Sequence, residues 1–145
     1  MTTELIDWKE EMKININGYI KNVNTNEKQT INSISIYNKN KISYFDNNDK
    51  YTIKLPSKDK LILIRENNDI LSTMCFEKNK TIECNYIIKT NDINLFIEIT
   101  TLSLEINDKY IKVLYLVNDS NTKYEYYIEK EWNNIWALKA IWEIC

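Results

Sequence analysis

Short runs of Ile, Leu, Tyr, Val and Thr recur along this chain, each closed by a cluster of Asn, Asp and Lys. That rhythm restricts the fold to a sheet built from hairpins, because the runs are rich in pleat-forming residues and their connections are too short for helical crossovers. The clusters fall at 22–27, 38–41, 46–50, 57–60, 67–69, 78–80, 91–92, 107–109 and 118–123. The chain has one glycine, Gly18, and one proline, Pro56. Its turns must therefore be built from Asn and Asp, which tolerate the left-handed backbone region and cap turns with their own side chains. An all-β, antiparallel, up-and-down domain follows, and a closed barrel is the arrangement that leaves no strand edge unpaired.

Several runs alternate with period two, so one face of each strand is apolar. Met12, Ile14, Ile16, Gly18 and Ile20 share a face, and Gly18 within that run marks a bend, a bulge or a close backbone approach. Ile93, Leu95, Ile97 and Ile99 form a second such face, and Leu102, Leu104 and Ile106 a third. The segments 61–64 and 113–117 are apolar on both faces, which predicts cover from outside by a helix, a tail or a partner. Around Cys75 and Cys84 two registers compete. A two-residue turn at 79–80 sets Cys75 opposite Cys84; a three-residue loop at 79–81 sets Phe76 opposite Cys84 and Met74 opposite Tyr86. The second pairs large apolar groups and is preferred, making the cysteines small buried hydrophobes.

After a last strand at about 124–128, positions 131–144 change character. Trp132, Ile135, Trp136, Leu138, Ile141 and Trp142 combine spacings of three and four, which predicts a short amphipathic C-terminal helix. Packing of that helix on its own barrel, about 12–130, is preferred over a partner-binding face of tryptophans. The whole chain, 1–145, reads as one domain.

The composition excludes several chemistries. A formal net charge of −2, from 19 basic and 21 acidic residues, argues against a nucleic-acid binder. No apolar run approaches the roughly 20 residues that span a bilayer, and the acidic N-terminus is unlike a signal peptide, so a cytoplasmic protein without membrane contact is expected. Cys75, Cys84 and Cys145 form no metal or redox spacing. Histidine is absent, which removes the commonest general base and the usual transition-metal ligand. One glycine excludes a phosphate loop and a dinucleotide fingerprint. The run Asp46-Asn47-Asn48-Asp49 reads as a turn in preference to a calcium site. No cofactor, metal or catalytic residue is expected.

Arg65, the only arginine, ends the strand run 61–66 on the face of Leu61 and Leu63. If that face looks inward, its guanidinium is suited to a ligand carboxylate or phosphate. The preferred alternative is a strand-end charge reaching water and pairing with a neighbouring acid. Tyr44, Tyr86 and Tyr115 are the other inward candidates.

The order Ile14-x-Ile16-x-Gly18, Thr52-Ile53-Lys54, Leu63-Ile64-Arg65, Ser72-Thr73-Met74-Cys75-Phe76, Tyr86 with Thr90, and Ile111-x-Val113-x-Tyr115-x-Val117 resembles the YwiB-like bacterial proteins, from about Met12 to Ile128. Asn67, Asn68, Asn91 and Asp92 stand where that family would carry turn glycines. The resemblance implies a lipocalin-like (calycin) barrel of about eight or more strands. It implies no activity, because the family's function is unknown, and it transfers no functional residue.

Three functional readings remain, in order of preference. The first is a barrel that binds a small, partly apolar molecule through Arg65, Tyr44, Tyr86 and Tyr115. The second is an interaction module, a homodimer included, using the Trp-rich segment or a sheet face. The third is an enzyme built on paired carboxylates or on Tyr and Arg.

Overall fold

The computed structural model describes residues 12–132. They form ten antiparallel strands: β1 (Met12–Asn22), β2 (Lys28–Asn38), β3 (Lys41–Asp46), β4 (Asp49–Ser57), β5 (Lys60–Glu66), β6 (Ile70–Glu77), β7 (Thr81–Ile88), β8 (Ile93–Ile106), β9 (Tyr110–Val117) and β10 (Thr122–Trp132). Each strand pairs with its sequence neighbour, and β1 pairs with β10 to close the barrel. Among the described residues no helix is long and apolar enough to cross a membrane.

The turns are made as the composition requires. Asn26, Lys39, Asn40, Asn47, Asn79, Asp92 and Asn121 all have positive φ, and all but Lys39 are Asn or Asp. Asn47 sits at φ 58° in the two-residue hairpin that pairs Asp46 with Asp49. Left-handed backbone costs an ordinary residue about 1–2 kcal/mol, and Asn and Gly visit it most readily. Asn47→Ala is therefore expected to lower stability by about 1 kcal/mol and Asn47→Gly to be near neutral. Urea midpoints check this; equal losses in both variants would show that the Asn side chain matters and the backbone conformation does not.

Gly18 lies opposite Ile128 across the closing seam. A Cβ there would overlap the Tyr127 carbonyl oxygen, and would lie 2.8 Å from the Tyr127 carbonyl carbon and 2.9 Å from the Ile128 Cα. The close approach expected at this glycine is thus present, and it brings together the two ends of the sheet.

β8 reconciles two alternations of opposite phase. Thr101 pairs with Tyr115 and Ser103 with Leu114, so Leu102 is an extra, outward-turned residue. The bulge keeps Ile99 and Thr101 inside before it and Leu104 inside after it.

The hairpin β6–β7 corrects the preferred register. Ser72, not Met74, lies opposite Tyr86, and the paired ladder ends at Thr73 and Asn85. Beyond that point the Cys75 amide donates to the Cys84 Sγ at 3.3 Å, so a side chain takes the place of a ladder carbonyl. Both cysteines are free thiols; Cys84 is buried and Cys75 half-buried, and burial pushes the Cys84 thiol up from its ordinary pKa.

The C-terminal helix expected from 131 is also corrected at its start. Glu131 and Trp132 continue β10, opposite Asn15 and Ile14. The Trp132 indole donates to the Asp108 carbonyl at 3.0 Å and packs edge-on against Tyr37. These tertiary contacts outweigh the local helical spacing. The remainder of that helix, and Cys145, lie outside the described residues.

The two apolar-faced segments put Leu61, Leu63, Val113 and Tyr115 inside, while Ile62, Ile64, Leu114 and Leu116 are half-buried outside. Near the turns at 39–40, 58–59, 78–80 and 107–109 the interior is filled by Ile14, Ile42, Ile53, Leu61, Phe76 and Ile111, all fully buried. The opposite end is not filled, and there the candidate site lies.

Candidate functional site

An up-and-down meander places the β1–β2, β3–β4, β5–β6, β7–β8 and β9–β10 turns at one rim. Beneath that rim is a cavity of about 330 Å³, within the size range of small-molecule pockets. Its apolar wall includes Ile20, Leu63, Met74, Ile97, Ile99 and Val117. Toward the rim Ile93 and Leu95, in phase with Ile97 and Ile99, stay exposed where β8 pairs with β7 but not yet with β9.

The polar wall is set by register. Residues directly opposite in neighbouring strands hold their Cβ atoms about 5 Å apart. One such row crosses six strands: Tyr44 opposite Tyr51, Tyr51 opposite Arg65, Arg65 opposite Ser72, Ser72 opposite Tyr86, and Tyr86 opposite Leu95. A second short row sets Tyr124 opposite Tyr115 on β10 and β9. Tyr51, Arg65, Ser72, Tyr86, Tyr115, Tyr124 and Tyr126 all line the cavity.

Of the four residues expected from the sequence, Arg65, Tyr86 and Tyr115 are in this lining. Tyr44 is not: it is buried alongside, stacked on Tyr51 with ring centroids 4.9 Å apart and sharing a 2.6 Å hydrogen bond with the Tyr126 hydroxyl. Its role is to hold two lining rings. Tyr51, Ser72, Tyr124 and Tyr126 were not expected. Tyr51 alternates in phase with Ile53 and Leu55, which was a usable signal; Ser72 carries none, since its place depends on the β6 register.

Arg65 is both a cavity-lining and an ion-paired residue. Its Nε donates to Asp49 Oδ2 at 2.9 Å, while Asn67 Nδ2 donates to Asp49 Oδ1 at 2.7 Å. The hydrogen bond from Asn67 holds the Asp49 carboxyl below the usual carboxylate range; burial opposes it, and the hydrogen bond and charge of Arg65 add to it. The terminal guanidinium nitrogens make no hydrogen bond among the described residues. The rim beyond carries Lys89, which donates to Glu66 Oε2 at 2.7 Å and to the Asn67 carbonyl at 2.9 Å.

Tyr44, Tyr51, Tyr115 and Tyr126 stay protonated at neutral pH. Burial pushes Tyr44, Tyr51, Tyr115 and Tyr126 above the ordinary phenol value. Tyr115 also packs between Phe76 and Tyr124, at centroid distances of 4.9 and 5.6 Å. Tyr51, Ser72 and Tyr115 are 5%, 7% and 7% exposed, and their hydroxyls, which line the cavity, make no hydrogen bond among the described residues. No group of three or more Cys, Asp or Glu side chains among the described residues is placed to hold a metal ion.

No protein-family model and no curated protein matches the sequence. The fold is similar to the crystal structure of the YwiB protein from Bacillus subtilis, with a TM-score of 0.60 over 86% of this chain and 94% of that one. At 14% identity the similarity is one of fold: this chain is a closed β-barrel whose structural neighbour is YwiB.

Proposed function

We propose that the protein is a cytoplasmic, lipocalin-like barrel that binds a small, partly apolar molecule in the cavity beneath its open rim. The observation that carries this reading is the division of the interior. One half is packed with fully buried Ile, Leu and Phe, and the other encloses about 330 Å³. A barrel that needed only a core would fill that space, since voids forfeit dispersion contacts. The mixed lining of aliphatic side chains and tyrosine hydroxyls suits a ligand with an apolar body and a polar end. Free Cys75 and Cys84 fit a reducing compartment.

Native mass spectrometry of the purified protein is expected to show a non-covalent adduct that is lost on denaturation. Met74→Trp, which inserts an indole into the cavity, is expected to abolish the adduct while leaving the circular dichroism of the barrel unchanged. A protein that arrives bare, and whose thermal midpoint no member of a small-molecule panel raises, overturns the reading.

A second reading, an interaction module, draws on a different face. Ile34 and Phe45 on β2 and β3 are 70% and 64% exposed on the outer wall, with Ile36 beside them. The same spectra read oligomeric state, and a dimer dispersed by Phe45→Ser would favour that reading.

A further inference from the structure

Resting on the cavity-binding reading, we infer that the ligand's polar end is a carboxylate, held by Arg65 and by the cavity-lining hydroxyls of Tyr51, Ser72 and Tyr115. Tyr51, Ser72 and Tyr115, residues more than nine-tenths buried, line one cavity, and their hydroxyls are uncommitted among the described residues and open to it. They do not stand apart. Tyr51 and Ser72 flank Arg65 on either side in the same cross-strand row.

What they share is the capacity to donate. Arg65 offers only N–H donors, and the protonated phenols offer O–H donors. A carboxylate is acceptor-only when ionised, with two oxygens that match a guanidinium edge. The Asp49 carboxylate takes only the Nε of Arg65, and its other oxygen is held by Asn67. Asp49 therefore fixes the guanidinium while leaving its terminal nitrogens for a second acceptor.

The charge balance selects a monoanion. Arg65 is the only cationic residue of the lining, and it is already partly compensated by Asp49. Asp46, whose Oδ2 accepts from Gln29 of the lining at 3.1 Å, adds a second negative charge at the rim. Asp49 and Asp46 repel a phosphate dianion about twice as strongly as a singly charged carboxylate, and one guanidinium offsets less of that larger repulsion. The aliphatic wall then takes the body, so the class is a small monocarboxylate with an alkyl or aryl chain.

Titration calorimetry with octanoate and 4-phenylbutyrate, each against its neutral primary amide, tests this. The acids are expected to bind about 10- to 100-fold more tightly than the amides, as charge-assisted hydrogen bonds do relative to neutral ones. Arg65→Gln is expected to remove that preference, and Arg65→Lys to restore part of it. Tyr51→Phe and Tyr115→Phe are expected to weaken acid binding several-fold without lowering the thermal midpoint, because neither hydroxyl bonds to the protein. Tyr126→Phe, which breaks the bond to Tyr44, is expected to lower the midpoint instead. If the amides bind as tightly as the acids, or if Arg65→Gln keeps the preference, the carboxylate assignment falls and the binding reading stands. If neither probe binds the wild-type protein, the assignment also falls, and the native mass measurement alone decides the broader reading.

Discussion

Gly18→Ala is expected to destabilise the barrel by about 3 kcal/mol or more, the upper end of what overpacking ordinarily costs. Most overpacked sites relax by moving a flexible side chain. Here the added methyl meets only main chain, the Tyr127 carbonyl and the Ile128 Cα. Relief requires β1 to move away from β10, and these two strands form the seam that closes the sheet. That seam joins residues more than a hundred positions apart, so its pairing must offset a large loop-closure entropy. A loss of 3 kcal/mol is a large part of the 5–15 kcal/mol that holds a typical domain together. Urea unfolding followed by circular dichroism measures the effect. A variant within 1 kcal/mol of wild type would show that the seam yields easily, and that Gly18 is not what permits its closeness.

The second large effect is with pH. Tyr44, Tyr115 and Tyr126 are almost wholly buried, and burial raises the pKa of each well above the ordinary phenol value near 10. Below pH 10 both the folded and the unfolded chain hold these protons, and the contribution to stability is fully present. Above pH 10 the unfolded chain releases them and the folded chain does not. The unfolded state then binds fewer protons, so stability falls as pH rises toward the folded pKa values. Each pH unit in that range costs about 1.4 kcal/mol per tyrosine held neutral, or about 4 kcal/mol for the three together. The expected result is that these phenols ionise only as the barrel unfolds, with phenolate absorbance and loss of circular dichroism rising together. Tyr19 differs: its bond to Glu125, with a smaller contribution from burial, raises its pKa to about 12 on the outer wall, without coupling to the core. Titration of all ten phenols near pH 10 with an intact dichroism spectrum would refute the buried-tyrosine account.

Both effects bear on the cavity. Gly18 lets the barrel close around the space, and the Tyr44–Tyr126 pair holds two rings at its border in one arrangement. A ligand that satisfies Tyr51, Ser72 and Tyr115 would add to stability by linkage. Ligand binding and resistance to alkali are thus expected to rise together.

What the sequence determined by itself was local: strand positions, the inward face of most strands, and turns written in Asn and Asp. These follow from period-two patterning and from single-residue backbone preferences, which need no knowledge of neighbours. Patterning put Arg65 on the face of Leu61 and Leu63 and offered Tyr44, Tyr86 and Tyr115 as inward candidates, without deciding between a ligand contact and a strand-end ion pair for Arg65. Tertiary structure decided what depends on two strands at once. Ser72, not Met74, faces Tyr86, with the Cys84 thiol in place of a ladder carbonyl beyond that pair, and a one- or two-residue slip is invisible in either strand read separately. Trp132 joins β10 because Ile14, Asp108 and Tyr37 are there to receive it, against the helical spacing of its own segment. Tyr44 became a support for the wall and Tyr51 part of it, because the Tyr126 hydroxyl is within reach of one and the cavity opens beside the other. The empty half of the interior was the least legible feature. A cavity is a sum over ten strands of side-chain volume against barrel circumference, and no single stretch of sequence carries that sum.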